Sequence, residues 1–341
     1  VNIIATRSSK PNNLPLGIGI VLLFLLAGIP AGSATINTIG LLAGAGGLGD
    51  QSYNDMAMAG LGKAQQLYNF NLIVQETEGT HASQIKGMQS LIDLGAQVIV
   101  ANGAGLGNLV MEYSPKFPKI LFIVNDFPIE GFANVASTSF AHEEGSYLAG
   151  ILAASVATTG SIGFIGGVDL PVIHSFLDGF SRGAKSVSET VTITNTFVSP
   201  AGDYSGFTNP SQGYALATEM YQNGVEIIFS VAGLTGNGVI QAAREQKKLV
   251  IGVDADQDHM AKGYVLTSMM KRLDQSTYLE IEKIMNNSFT AGVTHYGLKN
   301  GGVSLSPMRF TRQLVSDEIM ATLHQAEKDL ISGKIQIPDT M

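Results

Sequence analysis

The chain has 341 residues, enough for two domains and a large buried core. Apolar residues make up 45% and charged residues only 14%, which argues against a disordered chain. Acidic residues outnumber basic ones 28 to 20, which makes nucleic acid a poor partner, and the lack of cysteine rules out disulfides, thiolate metal sites, cysteine nucleophiles and a lipid-modified cysteine.

Residues 1–34 differ from the rest. Arg7 and Lys10 sit in a polar start, Leu16–Ile29 carries no charge, and Pro30 breaks the run. Gly32-Ser33-Ala34 then offers a small-residue cleavage site, so the segment reads as a secretory signal peptide and the folded part starts near Thr35. The alternative is an uncleaved anchor, which the shortness of the run and Gly17, Gly19, Gly28 and Pro30 weaken.

From residue 36 short apolar runs alternate with amphipathic segments, the pattern of an α/β protein. Strands are expected at 36–42, 71–75, 97–101 and 119–124, with helices at 54–68 and 81–94. A second series follows. It has helices at 143–157, 173–187, 210–223 and 275–285, strands at 161–165, 192–198, 226–231, 249–253 and 265–269, and a closing helix at 316–332. Two βα series of similar design therefore lie end to end, without a short-period repeat.

Gly44-Ala-Gly46-Gly-Leu-Gly49 fits the spacing of a dinucleotide-binding turn, and Glu76 follows at about the position of a ribose-binding acid. The bulky polar run Asp50-Gln-Ser52-Tyr53-Asn54 instead looks built to touch a ligand with side chains and to cap the next helix. The histidines at 81, 142, 174, 259, 295 and 324 do not fall at metal-ligand spacing and read as surface or helix residues. No nucleophile elbow or phosphate loop is present, which favours binding over chemistry, with no metal and no cofactor expected. Asn102, Asn125, Asp126, Asp254 and Asp256 stand at or just after the ends of apolar strands, where open parallel sheets bind ligands. With Tyr53 and Phe207 they point to a polar, ring-bearing ligand.

The segment from Gly46 to Asn54 resembles the G-G-x-x-D-x-S-F-N signature of the basic membrane lipoprotein family of ABC importer substrate-binding proteins. Further similar stretches are Glu143-Glu-Gly145-Ser-Tyr-Leu-Ala-Gly150, Ile162-Gly-Phe-Ile-Gly-Gly167, Gly233-Leu-Thr-Gly-Asn-Gly-Val239, Ile251-Gly-Val-Asp-Ala-Asp-Gln257, Thr267-Ser-Met-Met-Lys-Arg272 and Tyr296-Gly-Leu-Lys-Asn-Gly-Gly-Val303. The resemblance spans about residues 38 to 335. It implies a type I periplasmic-binding fold, with two doubly wound parallel-sheet lobes around a ligand cleft. The lobes would be 35–137 plus 268–300 and 138–267 plus 301–341, with crossings near 135–140, 265–270 and 297–304.

The resemblance further implies a nucleoside, with purine the favoured base, held between Tyr53 and Phe207. Asp254 or Asp256 and Lys271 would hold the ribose, with Asp50, Asn54 and the Gly233 backbone lining the cleft. The alternative for the charges is that they pair with each other and hold the hinge. Gly44, Asn125 and Asn209 stand where the family often has acids, a set that also suits a different base or a flavin. A sugar or other small polar ligand, an NAD-type oxidoreductase using Gly44–Gly49, and an anchored sensor ectodomain are the other readings. The expected partners are the ligand and an ABC permease. The protein is expected to be an extracytoplasmic monomer, touching the membrane only through the permease or an uncleaved N-terminal segment.

Overall fold

A computed structural model describes residues 35–338, so the export signal expected in residues 1–34 lies outside the described residues. The chain begins with β1 (Thr38–Ala43), α1 (Tyr53–Tyr68), β2 (Asn71–Glu76), α2 (His81–Asp93), β3 (Val98–Asn102), α3 (Leu106–Tyr113), β4 (Leu121–Asn125) and β5 (Val135–Phe140). It continues with α4 (His142–Val156), β6 (Ser161–Val168), α5 (Pro171–Val187), β7 (Thr192–Ser199), α6 (Pro210–Gln222), β8 (Ile227–Val231), α7 (Gly236–Gln246), β9 (Leu249–Asp254) and β10 (Val265–Lys271). It closes with α8 (Leu273–Met285), β11 (Gly292–Tyr296), β12 (Val303–Leu305) and α9 (Asp317–Ile331).

Two six-stranded sheets result, in the orders β2-β1-β3-β4-β5-β11 and β7-β6-β8-β9-β10-β12. All the pairings are parallel except that of β12 with β10. Both sheets are covered on both faces, which is why β3 and β8 are buried along their whole lengths and read as largely apolar runs. In the first lobe Leu41, Val100 and Ile123 pack toward Leu61 of α1 and Ile281 of α8, while Leu42, Ile99 and Phe122 pack toward Met88 of α2 and Leu109 of α3. In the second, Ile228 and Val250 meet Ala217 of α6 and Val239 of α7. On its other face Phe164, Phe176, Phe180 and Phe229 form a ring cluster under α4 and α5.

The expected helices and strands all form, with ends shifted by a few residues. The sequence reading leaves out α3, α7, β5, β11 and β12. In α7 glycines stand at positions 236 and 238, which lowers helix propensity, but a Cβ at Gly238 would collide with the Pro210 carbonyl of α6. Close packing of α6 on α7 therefore overrides propensity.

The segments 135–140 and 265–270, expected as crossings, are regular strands. β10 stays in the second sheet to its last residue, where Lys271 pairs with Val303, so the division expected at 267/268 cuts through a strand. The chain changes sheets just after β5, β10 and β11. Among the described residues no helix is long and apolar enough to cross a membrane.

Candidate functional site

The carboxyl ends of both sheets face one cavity of about 490 Å³. Asp50, Tyr53, Asn54, Asn125, Asp126, Phe207, Gly233, Asp254 and Lys271 line it, nine residues that the sequence reading singled out. Asn102 and Asp256 do not. Asn102 is fully buried one layer behind, where its Nδ2 donates to Asn54 Oδ1 at 3.0 Å and its Oδ1 accepts from Asn125 Nδ2 at 2.9 Å. It fixes the two wall asparagines. Asp256, two residues past the strand-end Asp254, turns away from the cavity and pairs with Arg309 at 2.5 Å.

The charged centre comes from three strand ends. Lys271, at the end of β10, places its Nζ 2.7 Å from Asp126 Oδ2 and 3.5 Å from Asp254 Oδ1. Asp126 follows β4 and Asp254 ends β9, and both adopt left-handed backbone, with φ of 61° and 66°. Such turns are costly for most side chains but more accessible to Asp. The other Asp126 oxygen meets His142 Nε2 at 2.8 Å. Burial alone would push the Asp126 carboxyl up, but His142 and Lys271 outweigh it and hold the group at about 2. Burial likewise opposes the Lys271 charge, and the two carboxylates more than compensate, so its pKa lies above the ordinary lysine value.

Aromatic rings surround the ammonium. Its Nζ stands 4.7 Å from the Tyr53 ring centre, 5.3 Å from that of Phe176 and 5.9 Å from that of Phe140. The Tyr53 hydroxyl donates to the Asn125 carbonyl at 3.2 Å, which sets the ring across the first-lobe wall. Burial, then the nearby Asp126 and Asp254, push that hydroxyl's pKa up. Phe207 stands in the other lobe, seated against Gly167.

Asp50 is directed into its own turn. Its carboxylate accepts from the backbone N–H of Ser52, Asn54 and Asp55 and from Asn54 Nδ2. Burial pushes it up to about 6 against those donors. The glycine turn before it is occupied in the same way. Glu76 accepts from Leu48 N–H, and Asp55 accepts from Gly49 and Gln51 N–H. The donors that a pyrophosphate needs are thus taken by carboxylates, and the dinucleotide reading loses its chemistry. Asn209 caps α6 by accepting from Gln212 N–H and does not line the cavity.

The lobes touch directly. Ser52 Oγ donates to Asp254 Oδ2 at 2.6 Å, Gln257 Nε2 donates to the Gln51 carbonyl at 3.1 Å, and His259 Nε2 meets Gln51 Oε1 at 3.2 Å. The sequence reading took His142 for a surface or helix residue. It does open α4, but fully buried against Asp126. Its place immediately before the Glu143-Glu-Gly145 motif, where the chain passes between lobes, is the signal that could have found it. Tyr204 and Phe127 also line the cavity without having been singled out, and Ser52, quoted only as part of the polar run, makes the hydrogen bond across the lobes to Asp254. Ser52 lies inside the signature itself, and Phe127 directly follows Asp126.

Comparison with known proteins agrees with this architecture. A solute-binding protein of an ABC transporter system from Aeropyrum pernix superposes with a TM-score of 0.80 at 24% identity, covering 89% of this chain and 93% of that one. A second such protein, from Conexibacter woesei, gives 0.69 at 19% identity over 89% and 99%. The two-lobed fold is that of type I periplasmic-binding proteins. Basic membrane protein A of Borreliella afzelii is 29% identical over 92% of this chain and 93% of its own. The protein named ABC transporter nucleoside-binding protein BmpA in Lactococcus lactis is 31% identical over 87% and 88%. Residues 36–341 match the Bmp family model, described as ABC transporter substrate-binding protein PnrA-like. With its match running from the first strand to the last residue, the chain belongs to the Bmp family of ABC transporter substrate-binding proteins, a family of binding proteins and not of enzymes.

Proposed function

We propose that this protein is the extracytoplasmic receptor of an ABC importer and binds a nucleoside, with purine the favoured base, in the cleft between its lobes. The observation that carries the reading is the pairing of a ring from each lobe, Tyr53 and Phe207, with the Asp126–Lys271–Asp254 centre in one cavity. The rings sandwich the base, which adds roughly 0.5–1.5 kcal/mol beyond burial. Asp254 accepts from ribose hydroxyls, because a vicinal diol offers two donors and an ionised carboxylate has two acceptor oxygens. Lys271 donates to a sugar oxygen. Contacts made to both lobes by one ligand favour the closed arrangement, which the permease then recognises. The Lactococcus relative, named for nucleoside binding, supports the choice of ligand.

A thermal-shift panel of nucleosides, free bases, flavins, sugars and NAD tests this. Nucleosides are expected to raise the melting temperature by mass action, while free bases and sugars give smaller shifts. A flavin shift without a nucleoside shift would replace the proposed ligand by the larger ring system, to which Asn125 in place of an acid also points.

A further inference from the structure

The two lobes are fastened at three places around the cavity, and part of its lining is apolar. Ser52 and Gln51 bind the second lobe at one side, Tyr204 lies against Gly79 and Gly105 at another, and Asp126 meets Lys271 and His142 beside the crossings. The apolar part of the lining includes Phe127 and Pro128 of the first lobe and Leu170, Pro171 and Val172 of the second, which form two lips. Among the described residues no hydrogen bond or ion pair joins these two lips. Phe127 stays 36% exposed although it is a large apolar side chain.

Two features hold Phe127 there. The left-handed backbone of Asp126 turns the chain at the strand end just before it. Its ring then rests on Gly107 of α3, where any Cβ would collide with it. The ring is therefore seated at the rim of the cavity and not folded into the lobe. Apart from the exposed Asn108 and the uncapped first turn of α5, these lips offer a ligand only apolar side chains, so a polar edge set against them would lose its water for little return. An apolar group would cover both lips.

We infer that the preferred ligand is a nucleoside carrying an apolar substituent on its base, and that this substituent lies between Phe127 and Leu170–Val172. The inference rests on the nucleoside reading and refines it. The sugar occupies the Asp254–Lys271 end, and the base edge remote from the sugar faces the lips.

Calorimetric titration of the protein with adenosine, N6-methyladenosine and N6-benzyladenosine tests this, in the parent and in Phe127→Ala and Leu170→Ala. The benzyl derivative is expected to bind the parent about tenfold more tightly than adenosine, with the methyl derivative between them. In either variant the ratio is expected to fall to about twofold or less. A parent that binds adenosine as well as the benzyl derivative overturns the inference and leaves the nucleoside reading standing. So does a preference that survives both variants, which would assign the lips to something other than ligand. Failure of all three nucleosides to bind overturns both.

Discussion

The Nζ of Lys271 lies 2.7 Å from Oδ2 of Asp126, and the two residues belong to different lobes. Both side chains are almost wholly removed from solvent. Removing one partner strands a buried charge, so Lys271→Met is expected to destabilise the fold by about 3–5 kcal/mol. Asp126→Asn combined with Lys271→Met is expected to recover part of that loss. Urea denaturation of the two single variants and the double variant measures the coupling, and additive losses would show that the pair does not act as a unit.

Two buried carboxyls give opposite pH dependence. Asp50 has an ordinary value of 3.8 and is pushed to about 6. Between those values the folded chain keeps a proton that the unfolded chain has lost, so stability is expected to fall by about 2–3 kcal/mol as pH rises from about 4 to 6. Asp126, held at about 2, contributes stability that is present above about pH 4 and is lost as pH falls through 2. Denaturation midpoints taken from pH 2 to 7 are expected to peak near pH 4, and Asp50→Asn to flatten the decline above it. A parent profile that rises steadily from pH 4 to 6 would contradict the assignment to Asp50.

Tyr53→Ala and Phe207→Ala are each expected to weaken nucleoside binding by about 1–3 kcal/mol, through lost stacking and burial. Tyr53→Phe keeps the ring but loses the hydrogen bond to the Asn125 carbonyl, which is expected to cost about 0.5–1.5 kcal/mol of stability and little affinity. Calorimetric titration reads the affinities. Parent-like binding by both alanine variants would remove the stack.

Asp254 and Asp256 are separated by their surroundings. Replacing a ribonucleoside by its deoxy analogue is expected to cost the parent roughly 1–3 kcal/mol, and much less once Asp254 is changed to Ala. Asp256 pairs with the half-exposed Arg309, so Asp256→Ala is expected to leave discrimination intact and to cost at most about 1 kcal/mol of stability. Equal discrimination in the parent and in Asp254→Ala would leave Asp254 as the lysine's partner alone.

Asn102→Leu breaks the Asn54–Asn102–Asn125 chain and leaves Asn54 Oδ1 without its partner. A loss of about 1–3 kcal/mol in stability is expected, with weaker ligand binding as the two wall asparagines loosen. Unchanged stability would mean that water replaces the amide.

The central strands β3 and β8 were legible in the sequence because strands covered on two faces are largely apolar, whereas β5, β11 and β12 lacked that pattern and were not read as strands. The cavity wall was legible for a related reason. A polar residue directly after such a run stands at the carboxyl end of a strand, which is where Asn125, Asp126 and Asp254 are found. What the sequence could not determine is where each side chain points once two distant segments meet. Asp254 and Asp256 are two residues apart and equally acidic, but the left-handed backbone at Asp254 and the pull of Arg309 on Asp256 send them to different surroundings. His142 and Ser52 acquire their roles only across the lobe boundary, from Asp126 and Asp254. Contacts between residues far apart in the chain leave no local periodicity, so only the tertiary structure decides them.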